Sequence, residues 1–175
     1  ERDEKKYEEN FNAIGIFFGD PFSGDQLCEI ANWVKEGGVL ILLANDSANC
    51  DLAHFNILSN KFGIHFTDES INMVKGTAFE MGAAYPKQLN GILKEGNKIY
   101  VKEVSALNLT TPATDIAHAE NKVVVAVSPY GKGHVLAVGD PWLYNEYVDG
   151  RKLPSSFQNF EALQQIVNWI VSKAK

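Results

Sequence analysis

Two β-prone runs, Val123-Val-Val-Ala-Val-Ser128 and His134-Val-Leu-Ala-Val138, flank Pro129-Tyr-Gly-Lys-Gly133, and this stretch constrains the chain more than any other. Glycines in that turn can take positive φ and close an antiparallel hairpin. The second run then stops at Gly139-Asp140-Pro141-Trp142, where a glycine, a carboxylate and a proline send the chain into a loop. That loop carries Asp140, Trp142, Tyr144, Asn145, Glu146 and Tyr147. Loops at the carboxyl ends of strands are where α/β proteins usually keep their binding groups.

The rest of the chain supplies helices and a buried strand. Residues 25–36 predict a helix with Leu27, Ile30, Trp33 and Val34 on one face, and Gly37-Gly38 as its stop. Val39-Leu-Ile-Leu-Leu-Ala44 follows at once, an apolar run without alternation. Such a run suits a central strand of a parallel sheet with both faces covered. Asp51 is placed to cap a helix over residues 52–61, with Phe55, Leu58 and Phe62 inward and Gly63 as its stop. Residues 64–66 read as a short strand, 67–98 give mixed signals and hold many loop residues, and 99–109 contain strand that Thr110-Thr-Pro112 breaks. A last helix over 159–173 carries Leu163, Ile166, Val167 and Ile170 as its apolar stripe. Residues 13–18 are apolar but too short for periodicity to decide between strand and helix.

This order predicts an α/β three-layer sandwich with a mostly parallel sheet and an antiparallel hairpin. At 175 residues the chain is read as one domain, 1–175, with residues 1–10 frayed. It opens on Glu1-Arg-Asp-Glu-Lys-Lys6 without a Met, as a piece excised from a longer protein would. A net charge of −6 with lysines scattered among acids argues against a nucleic-acid partner. No apolar run reaches membrane-spanning length, so no membrane partner is expected. The compartment is left open: periplasmic or secreted if a parent chain carries a signal peptide, otherwise cytoplasmic.

The ordered set Ile30-Ala-Asn-Trp-Val-Lys-Glu-Gly-Gly-Val-Leu-Ile-Leu-Leu-Ala-Asn-Asp46, Phe62-Gly-Ile-His-Phe66, Tyr130-Gly-Lys-Gly133 and Asp140-Pro-Trp-Leu-Tyr-Asn-Glu-Tyr147 resembles the C-terminal domain of some family 105 glycoside hydrolases, the unsaturated rhamnogalacturonyl hydrolases. The resemblance covers about residues 24–172. It implies a flavodoxin-like, class I glutamine-amidotransferase-like fold, and a pectin-degrading parent whose catalytic residues sit on a separate helical barrel. Nothing in this chain has that barrel's succession of helices. The expected role is therefore non-catalytic, with the catalytic barrel and an oligosaccharide as partners. The alternatives are an independent small-molecule-binding or hydrolytic domain, and a protein-interaction module.

An amidotransferase-like nucleophile would be a cysteine on a tight, glycine-flanked elbow with a histidine partner. Cys50 stands six residues beyond Ala44 without a flanking glycine, and Cys28 falls inside a helix, so both read as packing residues. Asp46, Asp51 and His54 could hold a cation, but Asp51 as a helix cap is the better reading, and no metal or cofactor is expected. The candidate ligand-binding set is Asn45, Asp46, Asp140, Trp142, Tyr144, Asn145, Glu146 and Arg151. Aromatic faces beside carboxylates and amides suit sugar rings, and Asp140 with Glu146 could pair as acid and base. Against this, Trp142 and Tyr144 would serve equally as anchors onto the core or a neighbouring domain. If the strands before Asp46 and Asp140 run parallel in one sheet, both carboxylates emerge on one edge.

Overall fold

The computed structural model describes residues 14–17, 23–87, 91–140, 147–148 and 152–174. The parallel part of the sheet is built on β2 (Val39–Leu43), which lies between β1 (Ile14–Phe17) and β9 (Gly133–Val138) and runs parallel to both. All five β2 residues are buried, as an apolar run covered on both faces should be. Alternation along the strand divides them between two cores. Val39, Ile41 and Leu43 face one way, towards α3 (Asn159–Lys173). Leu40, Leu42 and Ala44 face the other, towards α1 (Gly24–Lys35) and α2 (Leu52–Ser59).

The helices start and stop where the sequence provides the groups. Ser23 and Gln26 form a reciprocal capping box on α1: the Gln26 amide donates to Ser23 Oγ and the Ser23 amide to Gln26 Oε1. Asp51 accepts from the His54 amide at the start of α2, as expected of a cap. A 3-10 turn, Asn60–Phe62, ends that segment, and Gly63 follows in the left-handed region at φ 75°. In α3 the buried stripe is Ala162, Ile166 and Ile170. The expected stripe was rotated too far, because Val167 is 46% exposed on the outer side.

Beyond the parallel part the chain departs from expectation. A mostly parallel, flavodoxin-like or amidotransferase-like three-layer sandwich is not what forms. The sheet is mixed and curls strongly into a half-barrel. Among the described strands the parallel pairings are β1 with β2 and β2 with β9, whereas β3 (Ile64–Ile71), β4 (Ala83–Pro86), β5 (Ile99–Tyr100), β6 (Val104–Leu109), β7 (Thr114–Ala119) and β8 (Lys122–Tyr130) pair antiparallel. The path runs β1-β2-β9-β8-β7-β4-β5, with β6 joined to both β3 and β8. The physical reason lies in the connections. Parallel neighbours need a long crossover, usually a helix. Between residues 64 and 138 the described residues hold no α-helix, merely a 3-10 turn at Phe79–Gly82, so these strands must return beside one another.

β4 lies in a stretch whose sequence signals are mixed, and β7 lies beyond the break at Thr110-Thr-Pro112. The β7–β8 connection is the two-residue turn Glu120-Asn121, with φ of 49° and 64°, as a primed hairpin turn requires. His118 is on β7. Its Nε2 lies 3.0 Å from Asp115 Oδ2, and Lys87 Nζ reaches the same carboxylate at 2.7 Å. The β8–β9 hairpin is where the sequence placed it. Gly131 takes the expected positive φ of 61°, whereas Gly133 lies against the end of α1.

β9 also carries a pH-sensitive contact. His134 stacks edge-on against Trp169 of α3, centroids 5.8 Å apart, and its buried Nδ1 has no hydrogen-bond partner among the described residues. Burial, then the charge of Lys173, holds its pKa below the ordinary 6.5. A histidine with a lowered folded-state pKa binds fewer protons folded than unfolded through that window, so stability rises with pH there. Stability is therefore expected to fall as pH drops below 6.5 towards the folded-state value. Asp51 and Asp115, whose pKa values are lowered by His54 and Lys87, lose their contribution in a separate, more acidic window. Thermal melts of His134→Phe should be flatter than those of the parent between pH 7.5 and about 5.5. Parallel curves for the two proteins would refute it.

Candidate functional site

The carboxyl ends of β2 and β9 form one edge, because the two strands are parallel and in register from Val39 opposite His134 to Leu43 opposite Val138. Asn45, Asp46 and Asp140 leave the sheet there, as the sequence anticipated. Both carboxylate residues are buried, Asp46 at 3% and Asp140 at 0% exposure.

What sequence reasoning missed is the segment that crosses this edge. Residues 101–105, from the end of β5 into the start of β6, run over it, and they bond to both strand exits. The Lys102 amide donates to Asp140 Oδ2 at 2.6 Å, and the Ser105 amide to the Gly139 carbonyl at 3.0 Å. On the other side the Asp46 amide donates to the Glu103 carbonyl at 3.0 Å. Glu103 itself adopts φ 56°, and its amide donates to the carbonyl of Asn72, another left-handed residue at φ 53°. Asn72 Nδ2 in turn donates to the Val101 carbonyl at 3.1 Å. Two non-glycine residues in this region mark a tightly specified crossing.

The acidic side chains are accordingly engaged in holding loops. Asp46 Oδ1 accepts from Asn49 Nδ2 at 2.7 Å, and its carbonyl accepts from the amides of Asn49 and Cys50. Asn45 Oδ1 accepts from the Asp46 amide at 2.8 Å. Lys102 Nζ pairs with Glu103 at 3.0 Å, a contact that raises the lysine pKa. The Asp140 carboxylate, accepting the Lys102 backbone amide, fixes the crossing as an N-cap fixes a helix start.

Next to this edge lies a cluster of rings. Tyr100 is 1% exposed and meets Tyr147 at 4.8 Å, Phe79 at 5.8 Å and Phe157 at 5.8 Å between centroids. Burial, reinforced by Tyr147, Asp140 and Glu103, pushes the Tyr100 hydroxyl far above its ordinary pKa. Tyr147, from the aromatic string that the sequence singled out, therefore packs onto the core. Trp142, Tyr144, Asn145, Glu146 and Arg151 lie outside the described residues.

The remaining candidates have bland roles. Asp51 and His54 form an exposed pair at 2.6 Å on the first turn of α2, while Asp46 faces Asn49 instead. Among the described residues no group of three His, Cys, Asp or Glu is arranged to hold a metal ion. Cys28 is exposed on α1. Burial pushes the Cys50 thiol up, and the neighbouring Asp51 adds to the rise, the reverse of what an activated nucleophile needs.

No family model matches the sequence, and no curated protein does. Solved structures do share the fold. The N-terminal domain of mmIFT52 superposes with a TM-score of 0.71 at 12% identity, covering 94% of this chain and 80% of that one. The cytoplasmic protein STM3548 from Salmonella typhimurium gives 0.65 at 12% identity, over 95% of this chain and 74% of that one. A β-galactosidase from Bacillus circulans sp. alkalophilus gives 0.58 at 14% identity over 91% of this chain, which spans 22% of that enzyme. At such identities the likeness is one of fold.

Proposed function

We propose that this chain is a non-catalytic accessory domain of a glycoside hydrolase acting on unsaturated rhamnogalacturonan oligosaccharides, packing on the parent's catalytic helical barrel or contacting carbohydrate. The observation that carries the non-catalytic part is the crossing of the strand-end edge by residues 101–105. Where an enzyme of α/β type would keep an open crevice, Asp46 and Asp140 are buried, Asp46 accepting from the Asn49 side chain and Asp140 from the Lys102 backbone amide, and Cys50 carries a raised pKa. The carbohydrate part is supported by the ordered string from Asp140 to Tyr147 and by the occurrence of this fold within a larger β-galactosidase.

A second reading, a protein-interaction module, is favoured by the outer side of α3, where Val167 and Val171 are 46% and 62% exposed. Both readings predict no turnover by the chain itself.

The test is an assay of the purified chain on an unsaturated galacturonyl-rhamnose disaccharide, with the reading frame around it determined in parallel. No hydrolysis by the chain, together with a helical barrel in the same reading frame, is the expected result. Turnover that disappears in Asp140→Asn would overturn the non-catalytic reading. A reading frame without such a barrel would leave the interaction module in its place.

A further inference from the structure

A cavity of about 240 Å3 opens beside the start of α3, with Tyr147, Leu153, Phe157, Asn159, Phe160 and Glu161 in its lining. We propose that it is a subsite for a single pyranose ring of an oligosaccharide. The inference rests on the accessory-domain reading and gives its carbohydrate contact a location.

The rear wall is fixed before any ligand arrives. The Gln158 amide donates to the Lys98 carbonyl at 2.8 Å, and the Lys98 amide returns to Gln158 Oε1 at 2.7 Å. One residue on, the Tyr100 amide donates to Asn159 Oδ1 at 2.7 Å, and Asn159 Nδ2 donates to the Tyr100 carbonyl at 3.0 Å. These four bonds clamp β5 to the first turn of α3. Tyr147 and Phe157 are then held in place by packing against Tyr100. A wall of this kind needs little ordering when a ligand binds, which favours even a small contact.

The groups facing the opening are of two kinds. Phe160 is 52% exposed, so its ring is presented to solvent beside the cavity instead of entering the core. Glu161 is exposed and has no ion pair among the described residues. A pyranose is amphipathic in the matching sense: its C–H face lies on an aromatic ring while its hydroxyls donate to a carboxylate. A phosphate or other multiply charged anion would meet Glu161 and a chain of net charge −6. The volume lies below the roughly 300–1,000 Å3 of sites that enclose a drug-sized ligand, so the cavity suits one ring of a longer chain.

The test is a titration of the isotope-labelled full chain with cellotriose, and separately with maltotriose, both neutral, followed by backbone amide NMR. With at least one probe, saturable shifts are expected at Tyr147, Val148, Phe160 and Glu161. Phe160→Ala removes a half-exposed ring, so the fold should survive while affinity falls by about tenfold or more. Glu161→Gln keeps an acceptor and should weaken binding less. The proposal is overturned if neither probe shifts these amides at tens of millimolar, or if Phe160→Ala binds as the parent does. It is equally overturned if Phe160→Ala weakens docking to a helical barrel and leaves the sugar titration unaltered. Those outcomes would leave the accessory reading standing, since that reading fails on turnover or on the reading frame.

Discussion

Gly133→Ala is expected to destabilise the protein by about 3 kcal/mol, the upper range for an added methyl group in a packed interior. Gly133 lies at the start of β9, directly under the end of α1, and its φ is not in the left-handed region. A Cβ there would overlap the carbonyl oxygens of Val34 and Gly38. Those are backbone atoms, so no rotamer change can make room. The surrounding contacts are themselves ladder-like: the Lys132 amide donates to the Lys35 carbonyl at 2.9 Å, and the His134 amide to the Gly38 carbonyl at 3.1 Å. Moving the strand to admit a methyl group stretches both. The melting temperature should fall by about 6–12 °C on the scale of a domain this size. Gly24→Ala is the control, because nothing lies within 4 Å of a Cβ at that position in the first turn of α1. That variant should melt within a degree or so of the parent, or slightly above it. A Gly133→Ala protein that melts with Gly24→Ala would show that the helix and hairpin are not in contact as described.

The contrast between Gly131 and Gly133 illustrates what the sequence could and could not reveal. Local conformation was legible: a glycine in a short turn between two β-prone runs predicts positive φ, and Gly131 has it. Close approach was not, because nothing near Gly133 in sequence says that the end of α1 passes over it. The same division holds elsewhere. β2, α1, α2 and α3 follow from apolar patterning and caps, which are short-range properties. β4 does not, since it is stabilised by a partner far along the chain, with Tyr85 opposite His118. The extension from one buried parallel strand to a mostly parallel sheet failed for this reason. Val39–Leu43 reports on its own two neighbours and on no other pairing.

The candidate site divides the same way. That Asp46 and Asp140 share an edge was readable, because parallel strands put their carboxyl ends together. That residues 101–105 bridge the edge was not, since the crossing depends on β6 pairing with β3 through a shift in register between Phe66 and Ser70. The one local sign was an Asn at position 72, a residue type that tolerates the left-handed conformation. The aromatic string from Trp142 to Tyr147 was read as ligand platform or anchor. For Tyr147 the packing on Tyr100 supports the anchor, and the cavity beside it keeps a place for the platform.

Asn159→Ala should have an effect of similar size to Gly133→Ala, through a different mechanism. Asn159 is 2% exposed, and its amide group satisfies both backbone groups of Tyr100. Alanine leaves a donor and an acceptor unpaired on the backbone of Tyr100, a residue that is 1% exposed. Each unpaired buried group costs about 1–3 kcal/mol, so the pair should cost about 3 kcal/mol. The loss falls at the junction of β5 with α3, and the wall formed by Tyr100, Phe157 and Tyr147 should loosen with it. Hydrogen exchange at the Tyr100 amide is the local readout, and it should accelerate by more than the drop in global stability accounts for. Asn159→Asp separates hydrogen bonding from shape. It keeps an acceptor for the Tyr100 amide but sets a buried carboxylate against the Tyr100 carbonyl, so at neutral pH it should be at least as destabilising as alanine. Protonating that carboxylate restores a donor, so the deficit of Asn159→Asp relative to the parent should shrink as pH is lowered through its titration. If Asn159→Ala melts as the parent does and Tyr100 exchange is unchanged, β5 is held by something other than this side chain.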